Sequence, residues 1–145
     1  MDPINIPDRH GPEFHVQNLY IPFLETRGWW VERFIGNAFQ AGIPDLYLFN
    51  ELWGERWVDI KIFGHYSFTK AQRDKWPKWE KVGIGIWILG AESREVCTKV
   101  HMAEQHKLLF RPPNWRDFWK DSWDPVDIDK IIDEEFNGNS EMSEG

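Results

Sequence analysis

The segment 42–63, GIPDLYLFNELWGERWVDIKIF, restricts what this chain can fold into more than any other stretch. Residues 45–49 (DLYLF) and 56–63 (RWVDIKIF) are short runs rich in aliphatic and aromatic side chains, and NELWGE between them carries the Asn and Gly of a turn. Two such runs joined by a short polar turn predict a β-hairpin. Side chains alternate along a strand, so Val58, Ile60 and Ile62 share one face. Asp59 and Lys61 then share the other face with Trp57 and Phe63. If Asp45 starts the neighbouring strand, the hairpin brings its carboxylate beside that of Asp59, with Pro44 restricting the turn that leads in.

The elements on either side complete a fold class. A helix is predicted over 12–27: Pro12 stands near its first turn, Gly28 just past its end, and Val16, Leu19, Tyr20, Phe23 and Leu24 recur at helical spacing. Pro22 removes one hydrogen bond from it and should bend it. Residues 29–34 (WWVERF) read as a strand. Ser67 or Thr69 can cap a basic helix running to about residue 82, which Pro77 should bend or shorten. The glycine-bounded run 84–89 reads as a buried strand. Residues 98–111 lack a clean period and suggest a strand followed by a short helix. Beyond the break at Pro112 and Pro113, Trp115, Phe118, Trp119 and Trp123 predict an aromatic segment folded back on the body. The sum is an α/β domain over 12–123, a mixed central sheet flanked by helices, and 145 residues suffice for one such core. An extended segment, 1–11, precedes it. An acidic amphipathic helix and tail, 124–145, follow, with Asp124 and Pro125 at the helix start.

Charge sharpens the division. The net charge is −7, which at face value disfavours a nucleic-acid partner. Yet residues 124–145 hold eight acids against Lys130 alone, so the remainder of the chain is neutral. Within it, 56–81 carries seven bases against three acids. That stretch includes Lys70, Arg73, Lys75 and Lys78 interleaved with Trp76 and Trp79, a pattern suited to neutralising phosphates and stacking on bases. The two tryptophans could equally pack on the sheet. No apolar run approaches membrane-spanning length, residues 1–10 lack the features of a signal peptide, and Cys97 has no partner. A cytoplasmic, non-secreted protein is therefore expected.

Two carboxylates held close repel unless a cation lies between them, and oxygen-only ligands suit Mg²⁺ or Mn²⁺ rather than zinc. Lys61 alongside could orient a metal-bound water or stabilise charge on a phosphate, which makes a hydrolytic phosphodiester site. The histidines form no metal site by spacing: His10 with His15, and His101 with His106, are five apart. His15 or His65 near the carboxylates is the residual option. Cys97 reads as an inert packed thiol, and GIGIWILG lacks the Lys-Ser/Thr of a phosphate loop.

Pro44-Asp45 followed by Asp59-Ile60-Lys61 resembles the bipartite signature of the PD-(D/E)xK nuclease superfamily. GIPDLYLF, WVDIK, SFTKAQRDKW and GIGIWIL in that order are similar to its VRR-NUC and Holliday junction resolvase-like branch. The resemblance covers about residues 13–90. It implies a restriction-endonuclease-like fold and a Mg²⁺-dependent endonuclease acting on DNA, with Mn²⁺ as a substitute. By the same resemblance Asp45 and Asp59 are metal ligands, the Ile60 carbonyl a third, Lys61 the catalytic lysine and Gln72 a helix glutamine near the site. The family's first-helix acid aligns best with Gln17, while Glu13 and Glu25 lie one and two turns away. Branched DNA is the implied substrate, cut by a homodimer in a prokaryotic or phage-infected cell. A site-specific enzyme of homing or restriction type is the alternative. Ten tryptophans keep a third reading open, a non-catalytic binding module.

Overall fold

Helix α1 (Gly11–Thr26) stops where the sequence places its stop. Gly28 takes φ 90°; its N–H donates to the Glu25 carbonyl, and the Trp29 N–H reaches back to Leu24 at 3.1 Å. These two bonds make a Schellman motif, which uses a left-handed residue that glycine adopts without steric cost. Pro22 sits inside the helix on its exposed side and does not end it. Val16, Tyr20, Phe23 and Leu24 are buried as their spacing predicts, but Leu19 is 40 % exposed because it lies on the flank of that stripe.

This computed structural model describes residues 11–34 and 41–122, and the expected extended segment, Trp123 and the acidic helix lie outside them, apart from Gly11, which opens α1. After α1 come β1 (Trp30–Arg33), β2 (Leu46–Asn50), β3 (Gly54–Ile62), α2 (Lys70–Lys81) and β4 (Ile86–Ala91). A 3-10 turn (Arg94–Val96), α3 (Lys99–His106), a second 3-10 turn (Lys107–Phe110) and α4 (Trp115–Ser122) follow. The four strands form one sheet in sequence order. β2 runs antiparallel to both β1 and β3, with Leu46 opposite Val58 and Asn50 opposite Gly54 in the expected hairpin. β4 runs parallel to β3 after the α2 crossover, pairing Asp59 with Ile88 and Lys61 with Gly90. The described residues thus form a single mixed α/β domain. No helix among the described residues is long and apolar enough to cross a membrane.

Both sheet faces are covered. Val58, Ile60, Ile62, Leu46, Leu48 and Leu89 pack under α1 and α3 with Tyr20, Leu24, Met102 and Leu109. On the opposite face Ile86 and Ile88 meet Phe68 and Trp76, Trp115 and Trp119, the last three fully buried. Each such indole contributes roughly 2–3 kcal/mol of burial, so α2 and α4 form an aromatic roof over the face that carries Asp59 and Lys61. Trp29 and Trp87 are buried too, whereas Trp30, on edge strand β1, is 65 % exposed.

Two expectations fail for identifiable reasons. Residues 98–111 contain no strand: the Thr98 side chain accepts the His101 N–H and starts α3, whose buried Met102 needs only one apolar face. Pro77 does not shorten α2, which continues past it to Lys81, and its ring is buried. Of the two readings left open for Trp76 and Trp79, packing on the sheet is what is seen: Trp76 has no exposure, and half-buried Trp79 packs edge-on against Trp57 at 5.2 Å.

His106 serves structure as well. His106 Nε2 accepts the Trp29 indole N–H at 2.9 Å, within a cage that includes Phe23 and Phe110. Burial and then the Arg27 charge push its pKa below the usual 6.5, so the folded state holds it neutral. Stability from this contact is present above the unfolded-state value and is lost as the pH falls below it. Urea unfolding should therefore show a decline from pH 7 to pH 5 that His106→Leu flattens. An unaltered slope in that variant would refute the assignment.

Candidate active site

The approach to β2 explains the glycine of GIPD. Gly42 has φ 82°, and a Cβ there would stand 2.7 Å from the Ala71 carbonyl oxygen, so only glycine lets this loop press on α2. The Trp76 indole N–H donates to the Gly42 carbonyl at 2.6 Å, and Lys75 Nζ donates to Ala41 at 2.7 Å. Helix α2 therefore clamps the loop that delivers Asp45. Across the hairpin the clamp becomes reciprocal: the Asp45 N–H donates to Asp59 Oδ1 at 3.2 Å, and the Ile60 N–H donates to Asp45 Oδ2 at 2.8 Å.

Lys61 and Gln72 close the arrangement from the aromatic side. Asp59 is 1 % exposed, and Lys61 Nζ lies 2.9 Å from its Oδ2. Thr69 caps α2 with a reciprocal box: the Gln72 N–H donates to Thr69 Oγ1 at 3.1 Å, and the Thr69 N–H to Gln72 Oε1 at 3.0 Å. Thr69 is thus the cap, and Ser67 offers its carbonyl to Lys61 instead. The box leaves the Gln72 amide nitrogen 3.5 Å from both Asp59 oxygens. Asp45, Asp59, Lys61 and Gln72, far apart in the chain, meet as expected.

Of the three α1 positions, Glu13 is the one that lines the cavity at this site, where it feels the Lys61 and Asp59 charges. Gln17 is buried beyond the cavity wall, and Glu25 is exposed near the far end of α1. Only the first turn of α1 stands over the end of β3, so a position one turn later is carried past it. Of the four proposed phosphate contacts, Lys70 pairs with Asp74 at 3.1 Å and Lys75 is bound to the 41–44 loop. Arg73 is half-buried and Lys78 exposed on the same helix.

The cavity encloses about 900 Å³. Its far wall is the segment Glu92, Ser93, Arg94 and Glu95, which the sequence reading did not single out; His65 also lines it. The available signal was topological: a site on a parallel strand pair opens at the carboxyl ends, so residues after Ala91 must stand beside those after Ile62. Five carboxylates line the cavity against Lys61 and Arg94, and Arg94 is itself paired with Glu95. Burial, and then the adjacent Asp59 charge, hold Asp45 well above the usual carboxylate range, despite the Ile60 N–H and Lys61. Burial also raises Glu13, against the pull of Lys61. For Lys61 burial acts downward, but Asp59, Glu13 and Asp45 together outweigh it and hold it above its ordinary value. Cys97 does not line this cavity, and burial pushes its thiol up to about 11.

No group of three His, Cys, Asp or Glu side chains among the described residues is arranged around one ion position. The oxygen donors here are the two clamped carboxylates, Asp45 and Asp59, whereas Ile60 does not line the cavity. That set fits Mg²⁺, which keeps several waters and is commonly held by one or two carboxylates, and it does not fit zinc. No family model matches the chain, and neither does any curated protein or solved structure.

Proposed function

We propose that this protein is a Mg²⁺-dependent endonuclease of restriction-endonuclease-like fold that hydrolyses DNA phosphodiester bonds, with branched junctions as its substrate. The observation that carries this reading is the Asp45–Asp59 clamp, closed by Lys61 and Gln72, on the floor of an acidic cavity beside a basic helix. Asp45 and Asp59 would hold the ion, and Mn²⁺ substitutes. A bound Mg²⁺ would supply Lewis acidity toward the phosphate and a more acidic water. The chain's own residues do the rest: the clamp fixes both carboxylates, Gln72 orients Asp59, and the α2 bases Lys70, Arg73 and Lys78 neutralise flanking phosphates. One chain presents one site, so cutting two strands takes a homodimer. We place its action in the cytoplasm of a prokaryotic or phage-infected cell.

A site-specific endonuclease shares this chemistry and differs in substrate choice. The Trp-rich binding module loses its main support, since Trp29, Trp76, Trp87, Trp115 and Trp119 are core residues. Incubation with four-way junctions of differing arm sequence, linear duplex and single strands tests the reading. Cleavage is expected in Mg²⁺ and absent in EDTA, with equal cutting of the junctions. Asp45→Ala should lower the rate by about a hundredfold or more. Cleavage that persists in EDTA, or is unimpaired in Asp45→Ala, would rule the mechanism out; dependence on one arm sequence would favour the site-specific enzyme.

A further inference from the structure

The Lys61 ammonium is 3 % exposed and stands 2.9 Å from Asp59 Oδ2, 3.0 Å from the Ser67 carbonyl and 3.4 Å from Gln72 Oε1. An ammonium has three N–H bonds, and these three acceptors take all of them. The Phe68 and Trp76 rings, with centroids 4.8 and 5.9 Å from the nitrogen, complete the enclosure. The acceptors come from β3, the 63–69 loop and α2, and the Thr69 capping box fixes the last of them. Such an amine is built into the site. It is not an arm held ready for a ligand.

We propose that Lys61 is the resident cation of the site: a positioning residue that holds Asp59 and competes with a divalent ion for that carboxylate. The inference rests on Asp45 and Asp59 being the metal centre, and it gives Lys61 a role apart from water or phosphate. Two positive groups sharing one carboxylate in a buried setting repel more strongly than they would in water. The resident charge therefore keeps metal affinity low. A phosphodiester entering the cavity adds negative charge and relieves that repulsion, so metal and DNA load together, each strengthening the other by the same factor.

The test is Mn²⁺ titration of the full chain, following free Mn²⁺ by electron paramagnetic resonance, with DNA cleavage measured in parallel. Lys61→Met and Lys61→Gln should each bind Mn²⁺ at least about tenfold more tightly than wild type while cleaving DNA more slowly. Lys61→Arg keeps the charge and should stay within roughly threefold of wild type. A lysine acting only on water or phosphate leaves Mn²⁺ affinity unchanged, and one that merely supports the fold weakens it when removed. Either result, in variants with wild-type circular dichroism, overturns the proposal. Should Lys61→Met fail to fold, Lys61→Gln retains a hydrogen bond to the Ser67 carbonyl and decides the matter. Absence of Mn²⁺ binding at millimolar concentration in every form overturns the metal centre itself, an outcome distinct from normal binding that ignores position 61.

Discussion

Asp45→Asn is expected to abolish cleavage and to raise the melting temperature. Asn at position 45 keeps an oxygen that can accept the Ile60 N–H, which now reaches Asp45 Oδ2 at 2.8 Å. It removes the buried charge that faces Asp59. The folded-state pKa of Asp45 is raised above its ordinary value of 3.8, so its contribution to stability is fully present below that value and is lost as the pH rises through the higher folded value. Neutral pH lies well above the ordinary value, so the wild type carries a deficit there. Relief of it should be worth about 1–2 kcal/mol, or roughly 3–6 °C in melting temperature for a domain of this size. Catalysis moves the other way, because the same charge is what draws a divalent ion. Thermal melts of both proteins at pH 7 and pH 3.5 check the sign: the gain should appear at pH 7 and shrink to a few tenths of a kcal/mol at pH 3.5, where Asp45 is mostly protonated even in the unfolded chain. A variant no more stable than wild type at pH 7 would show that Asp45 is not a strained charge.

Gly90→Ala should be among the most damaging single substitutions in the protein. Gly90 lies opposite Lys61 in the parallel pair, and a Cβ on it would sit 1.9 Å from the Lys61 carbonyl oxygen and 3.0 Å from the Phe63 ring. Neither neighbour is the free end of a flexible chain, so the strands must part. The Gly90 carbonyl also accepts the Tyr20 hydroxyl at 2.7 Å and meets His101 Nε2 at 2.5 Å, and a displaced β4 strains both contacts. The loss should reach about 4 kcal/mol or more in chemical denaturation. Gly83→Ala is the internal comparison: its φ is 90° but no atom lies within 4 Å of the added Cβ, so it should cost only about 1 kcal/mol, from the backbone alone. A Gly90→Ala protein within 1 kcal/mol of wild type would mean that β3 and β4 are less closely apposed. Any fraction that folds should still cleave poorly, since Lys61 moves with its own carbonyl.

The two substitutions probe features of different legibility. Asp45, Asp59 and Lys61 could be read from the chain because strand alternation and a short hairpin leave few ways to arrange them. Thr69 was legible only as one of two caps with Ser67, and Gln72 only through the resemblance; the capping box that joins them spans four residues and appears once the helix start is fixed. Glu13 was legible only as one acid among three positions on a helix. Its choice over Gln17 depends on how far α1 has advanced over the end of β3, and one turn amounts to about 5.4 Å. The tryptophans were ambiguous because a stripe of aromatic residues on a basic helix has the same spacing whether it faces solvent or a sheet.

What the chain determined by itself are the local devices: the alternating strands, the Schellman stop at Gly28, the Thr69 cap and the glycine of GIPD. Each depends on neighbours a few residues away, so its physics is complete within a short window. Tertiary structure alone decided which acid of α1 reaches the site, that Glu92 to Glu95 form its far wall, and that Lys61 is saturated by three acceptors from three elements. Those outcomes depend on helix placement and strand direction, which a parallel crossover sets across long sequence separations. A periodicity within one segment carries no information about such distances.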